Sequence, residues 1–331
     1  MPIQRKVFMS HEITVREDGT AETFQVKVPA WHKLGTVVQE APTSAEAIKL
    51  AHLDWEVDKI DLFGYFNDKL EIVEGKVGIQ RVDNGKILGV VGSNYHPVQN
   101  AEAFSFLDSI VKTGDLKYET AGSLRGGAGI WFLARMPEQS DIIGDLTDNF
   151  ILLKTGHDGL TSMEVMLTKV RVVCQNTLNM ALRDNVNRIR VKHCLNMPEK
   201  IDKARELLLG IRAESDNLDN VLRNLGVVGV VNEKVTEFLD KMFPLPTVAD
   251  QPATKTKNIR DQIMTNFDFD NETQTVATKG SAYGLLNAVT KYVDHQRGEK
   301  NELKAATSAM FGSGSDIKDK ALETLRTMYS I

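Results

Sequence analysis

The sequence predicts an α+β fold, with antiparallel sheets, packed helices and a mainly α-helical C-terminal third. Three observations carry this expectation. Period-two apolar alternation recurs between Trp55 and Val172, short Gly- and Asp-rich turns separate the alternating runs, and a period near 3.6 takes over beyond Glu199. Strands joined by short turns pair antiparallel, and a helix following them covers one sheet face. The 331 residues, 42% hydrophobic and 26% charged, are enough to build a sizeable core without disulfides or metals.

In chain order, residues 1 to 43 read as extended and loop-like, with a turn at Glu17-Asp18-Gly19-Thr20 and an alternating strand from Glu22 to Val28. Thr43 or Ser44 caps a helix of about ten residues. Strands are predicted from Trp55 to Phe63, Leu70 to Val73, Val77 to Val82 and Ile87 to Val91. The apolar spacing of Ala101 to Val111 predicts a helix capped by Asn100. Tyr118 to Leu124 and Ile130 to Met136 form a hairpin around Arg125-Gly126-Gly127-Ala128-Gly129. That glycine run lacks the following helix and the Lys-Ser/Thr of a phosphate loop. The division that results is 1–94 as an N-terminal α+β module, 95–243 as a central antiparallel sheet with helices, 244–257 as a linker marked by Pro244, Pro246 and Pro252, and 258–331 as a helical region.

In the helical part, Leu208 and Ile211 share a face, as do Leu218, Val221 and Leu222. Val235, Phe238, Leu239 and Met242 follow an Asn232 cap. Further helices are predicted near Asn258 to Asn266, from Ser281 to Gln296 with Leu285, Ala288, Val289, Tyr292 and Val293 inward, and from Asp316 to Tyr329.

The most informative stretch runs from Asn149 to His193. Phe150 to Lys154 is an apolar strand, Gly156-His157-Asp158-Gly159 is turn chemistry, and Met163, Val165 and Leu167 alternate beyond it. The phase then flips, because Lys169 and Arg171 share the parity of Leu167. A bulge near Thr168, or a strand entering a different packing environment, accounts for the flip. Cys174, Leu178, Ala181 and Leu182 have the spacing of a buried helical stripe, with Gln175, Asn176, Asn179 and Arg183 on the opposite side. From Lys169 to His193 the cations Lys169, Arg171, Arg183, Arg188, Arg190 and Lys192 face the single acid Asp184. The segment therefore carries +5 in a chain of net charge −5. Either it is a solvated helix face with a basic loop, or it is a groove for a polyanion.

Chemical motifs are sparse. Cys174 and Cys194 have neither a CxxC partner nor a histidine spacing suited to zinc, and adjacent His193 and Cys194 would point apart in a strand. Trp31 beside His32 reads as packing, and Asp294 with His295 as the end of a helix. No catalytic motif and no cofactor motif is recognised. No apolar run reaches the roughly 18 residues of a membrane span, and Met1 to Glu17 has no signal-peptide core, so a cytoplasmic protein is expected.

Several segments resemble one family across most of the chain and in the same order. Pro29-Ala30-Trp31-His32-Lys33-Leu34-Gly35-Thr36, Ser44-Ala45-Glu46-Ala47 and Leu53-Asp54-Trp55-Glu56-Val57 are similar to the opening of the phage/plasmid-like family of laterally transferred elements, whose C-terminal part is a domain of unknown function. Tyr95-His96-Pro97-Val98-Gln99-Asn100 with Ala103-Phe104, and Arg171 to Leu178, resemble its middle. Tyr283 to His295 resembles its C-terminal signature, with tyrosine at 283 in place of tryptophan. The resemblance implies an origin on a phage, prophage or plasmid and brings no catalytic residues with it.

Two functions are expected on this basis. One is nucleic-acid binding, in particular single-stranded DNA binding or annealing in recombination by a homo-oligomer. Lys169, Arg171, Arg183, Arg188, Arg190 and Lys192 would meet phosphates, and Gln175, Asn176 and Asn179 would hydrogen-bond the backbone. Phage annealing proteins share such a sheet-plus-helix layout. The other is a non-enzymatic interaction protein, a host-defence inhibitor or assembly component with a host or phage protein as partner.

Overall fold

The computed structural model describes residues 13–27, 35–114, 116–161, 163–171, 177–180, 197–246, 253–271, 274–297, 308 and 312–331. Among these, the α+β expectation holds. A seven-stranded sheet contains β1 (Thr23–Val26), β2 (Thr36–Val38), β6 (Lys117–Leu124), β7 (Gly129–Ile142), β8 (Asp145–Gly156), β9 (Glu164–Arg171) and β10 (Thr177–Met180), in the order β10-β9-β8-β7-β6-β1-β2. Only the β1–β2 pair is parallel. A three-stranded antiparallel sheet holds β3 (Val57–Phe66), β4 (Lys69–Arg81) and β5 (Ile87–Gly92).

Alternation along the strands builds the large sheet's two faces. Ile130, Phe132 and Ala134 of β7, Ile151 and Leu153 of β8, and Val165 and Leu167 of β9 belong to the main core. Trp131, Leu133, Phe150 and Leu152 form a second cluster with Ile13 and Ala21. Helix α2 (Asn100–Gly114) lies on the main-core face, where the Phe104 ring meets Phe132 edge-on at 4.2 Å. Helix α3 (Met197–Val227) continues that layer and buries Leu208, Ile211, Leu218 and Leu222. The helical part is completed by α4 (Asn232–Met242), α5 (Thr254–Phe269), α6 (Ala282–Lys291) and α7 (Ser313–Tyr329). A short π-helical turn, Tyr292–Gln296, follows α6 directly.

Helix α1 (Ser44–Leu50) starts as its sequence requires. The Thr43 side chain accepts from Glu46 N, and the Glu46 carboxylate accepts from Thr43 N, a reciprocal capping box. Backbone hydrogen bonding to Thr43 holds the Glu46 pKa below the usual carboxylate range.

Several expectations are corrected. The helix predicted around Cys174 to Arg183 is not formed at 177–180, where β10 pairs with β9 in the register Thr177↔Val170 to Met180↔Leu167. Thr177-Leu178-Asn179-Met180 also alternates with period two, and sheet pairing prevails over the helical reading. The β8–β9 register runs from Thr147↔Arg171 to Lys154↔Glu164 without a shift, so Thr168 is not bulged. The two strands predicted at 70–73 and 77–82 are one strand, β4. Asn100 does not cap its helix with its side chain, since its amide reaches the Leu53 and Trp55 carbonyls. Val231, not Asn232, is the N-cap of α4, and it makes no side-chain cap bond. Helix α5 begins at Thr254, inside the predicted linker, and 247–252 lie outside the described residues. Across the predicted 94/95 boundary, β1 pairs antiparallel with β6.

Candidate functional site

Of the residues predicted to line a polyanion groove, Lys169 and Arg171 fall in β9 and Asn179 in β10. Lys169 is 2% exposed and keeps the core-facing parity of Leu167. Its ammonium donates to Ser140 Oγ at 3.0 Å, Asn149 Oδ1 at 2.7 Å and Ser215 Oγ at 2.8 Å, and lies 2.7 Å from Asp219 Oδ1. Burial pulls its pKa below the ordinary lysine value, against the opposing pull of Asp219. The phase flip is therefore a change of environment. The inward row of β9 passes from apolar packing to a polar pocket under α3. The expectation that Lys169 meets phosphate is corrected, because its charge is spent inside.

Arg171 closes β9 and Asn179 lies in β10 opposite Thr168. Gln175, Asn176, Arg183, Arg188, Arg190 and Lys192 lie outside the described residues. Without Lys169, five cations face Asp184, a net +4 between Arg171 and Lys192. That charge lies in the chain beside the terminal strand of the sheet.

A second polar centre joins the two sheets, and spacing in the sequence gives no sign of it. Arg81, at the end of β4, is 1% exposed. Its guanidinium holds Glu22 through Nη2 to Oε1 at 2.5 Å and Nη1 to Oε2 at 3.1 Å, and Asp83 through Nε at 2.6 Å and Nη2 at 2.9 Å. Burial works against its charge, but hydrogen bonds and charge from Asp83 and Glu22 outweigh that effect and raise its pKa. Ser123 Oγ also donates to Glu22. The guanidinium carbon sits 4.1 Å from the centre of the Trp55 ring, a cation–π contact.

On from Trp55, His157 meets the indole edge-on at 5.4 Å. The amide of Asn100 donates through Nδ2 to the Leu53 and Trp55 carbonyls, leaving Oδ1 to face His157 Nε2 at 2.9 Å. His157 Nε2 must therefore carry the proton, and Nδ1 is a bare acceptor. Both His157 Nδ1 and Trp55 Nε1 are buried without a hydrogen-bond partner. Desolvation pushes the His157 pKa down to about 4, so the ring is neutral near pH 7. Gln99 adds a two-way clamp, accepting from Val57 N at 3.0 Å and donating to Val57 O at 2.8 Å. The segments Leu53–Val57, Tyr95–Asn100 and Gly156–Gly159, far apart in sequence, thus meet at one joint.

This joint is a structural device. Its carboxylates are occupied by Arg81, and its histidine faces an amide. Among the described residues, no group of three or more His, Cys, Asp or Glu side chains is placed to hold a metal ion. The C-terminal signature is similarly structural. Tyr283 is buried and donates its hydroxyl to Asp145 Oδ2 at 2.9 Å, while Asp294 holds the fully buried Lys318 at 2.8 Å. The π turn borders a cleft of about 530 Å³ lined by Thr254, Lys255, Asn258, Ile259, Gln262, Tyr292 and Gln296.

The fold and its polar centres define an α+β protein of antiparallel sheets with a helical C-terminal part. More particularly, the chain belongs to the family described as a domain of unknown function (DUF932), which matches residues 87–311. No curated protein and no solved structure matches the chain at the significance required. No helix among the described residues is long and apolar enough to cross a membrane.

Proposed function

We propose that this is a cytoplasmic protein of a phage, prophage or plasmid that binds nucleic acid, single-stranded DNA in particular, and works in annealing or recombination. One observation carries the reading. The net +4 of Arg171, Arg183, Arg188, Arg190 and Lys192 against Asp184 falls in the chain next to β10, the terminal strand of the seven-stranded sheet. A local concentration of cations attracts polyanions even in a chain of negative net charge, because association responds to local potential.

The test is fluorescence anisotropy of labelled single-stranded DNA across a salt series. Affinity should fall linearly on a log-log plot, with a slope of about −0.7 for each phosphate neutralised. Replacing Arg171, Arg188 and Arg190 with alanine should weaken binding and flatten that slope while leaving the circular dichroism spectrum unchanged. Absence of binding at low salt, or a triple variant with unchanged affinity, would refute the assignment. The interaction-protein reading then takes its place, favoured by the exposed apolar side chains Phe63, Tyr65, Leu70 and Ile72 on the small sheet.

A further inference from the structure

The distal end of the β3–β4 hairpin exposes an apolar stripe. Its turn, Asn67-Asp68, has φ of 48° and 57°, the left-handed pair of a two-residue type I′ hairpin that fixes register. Phe63 lies opposite Ile72 and Tyr65 opposite Leu70, and directly opposed residues share a face. These four are 61%, 53%, 71% and 71% exposed.

The stripe continues the core-facing row of β3. Alternation places Val57, Lys59, Asp61, Phe63 and Tyr65 on one side, and Val57 at the base is buried. Between the pairs Asp61↔Val77 and Phe63↔Ile72, β3 advances two residues and β4 five. The difference is odd, so β4 changes parity and brings Ile72 and Leu70 onto the same face. An inward-type face thus runs on beyond the body that covers its base.

We infer that this face docks on the same face of a second copy of the chain, two hairpins packing in antiparallel directions about a two-fold axis. Charge disfavours a polyanion there, and area fits a second copy. The hairpin from Asp58 to Lys76 carries Asp58, Asp61, Asp68, Glu71 and Glu74 against Lys59, Lys69 and Lys76, a net −2, which disfavours a nucleic-acid strand. In the antiparallel arrangement, Lys59 of each copy comes over the turn of the other, where Asp68 offers the opposite sign, while Lys69 and Glu71 lie on the far face of the hairpin. The pattern is self-complementary, as a two-fold interface requires. Area agrees. Four side chains at these exposures present roughly 500 Å² per copy, and about 1,000 Å² for the pair is the lower bound of a specific interface.

The experiment is sedimentation velocity on the nuclease-treated full chain from about 1 to about 100 µM, a range that brackets micromolar association. The wild type should shift from monomer to dimer across the series. Phe63→Asp with Leu70→Asp should remain monomeric with an unchanged circular dichroism spectrum. Tyr65→Ser with Leu70→Ser, which removes apolar surface without adding charge, should give the same result and guards against a charge artefact. A wild type that stays monomeric at the top of the range overturns the inference and assigns the hairpin to a heterologous protein. An oligomer that survives both double substitutions also overturns it. No nucleic acid is present, so the outcome is independent of the DNA-binding reading.

Discussion

Lys169 separates a structural cation from a ligand-binding one. Replacing it with methionine preserves length and removes the charge, leaving Asp219, 8% exposed, without its 2.7 Å partner. Arg223 lies 3.8 Å from the other oxygen of Asp219 but is 43% exposed, so its compensation is weak and screened. Ser140 Oγ, Asn149 Oδ1 and Ser215 Oγ each lose a donor at the same time. Breaking a buried pair on one side costs about 3 to 5 kcal/mol, whereas removing both charges in favour of apolar groups is close to neutral. Urea denaturation followed by circular dichroism should show Lys169→Met lowering the midpoint by on the order of 1 M. The double variant Lys169→Met/Asp219→Leu should recover most of that loss. If the single variant keeps the wild-type midpoint but loses DNA affinity, the buried-pair argument is refuted and Lys169 returns to the binding surface.

His157 makes stability pH-dependent in a defined direction. With its folded pKa pushed down to about 4 and an unfolded value near 6.5, the neutral ring contributes fully above pH 6.5, and that contribution fades as pH falls toward 4. Between pH 7 and 5 the loss should be about 2 kcal/mol, and His157→Gln should flatten this part of a urea-midpoint profile. Gly89→Ala should loosen the small sheet, since an added Cβ would stand 2.5 Å from the Asp158 carbonyl oxygen. A lowered melting temperature and faster amide exchange in β5 would show it. Tyr283→Phe should cost about 1 to 3 kcal/mol by leaving Asp145, 1% exposed, without that hydroxyl, read as a lower urea midpoint.

What could be read in the sequence was local. The helix start at Thr43-Ser44, the hairpin at Arg125 to Gly129 and the inward row Leu285, Ala288, Val289, Tyr292 and Val293 each declare themselves within a few residues. The failures are of another kind. Thr177 to Met180 fits two periods, and only the neighbouring strand decides between them. Lys169 breaks an apolar row because its acid lies 50 positions on, in α3. Arg81 and Glu22 are separated by 59 residues, and His157 and Asn100 by 57, so no motif could announce either pair. The candidate site was legible only as charge density, a property of composition that locates no side chain.

Among the described residues, three buried cations share one placement. Arg81 links the small sheet to the chain entering β1, Lys169 links the large sheet to α3, and Lys318 links α7 to the π turn through Asp294. Such pairs add little net stability over apolar packing of the same shape, but they penalise any arrangement that parts them. Hydrophobic contacts alone would let these elements slide. Arg81 is caught between two carboxylates and stacked on Trp55, so the small sheet cannot rotate about its base without exposing an unpaired charge. That constraint matters for the hairpin beyond it. A four-residue apolar stripe supports a two-fold contact only if its direction is fixed before the copies meet, because orienting it on binding would consume much of so small an interface. Arg81→Met with Glu22→Leu should therefore leave the chain folded, yet weaken the dimer in sedimentation velocity although neither residue lies on the stripe. A dimer of undiminished affinity would show that the joint does not orient the hairpin.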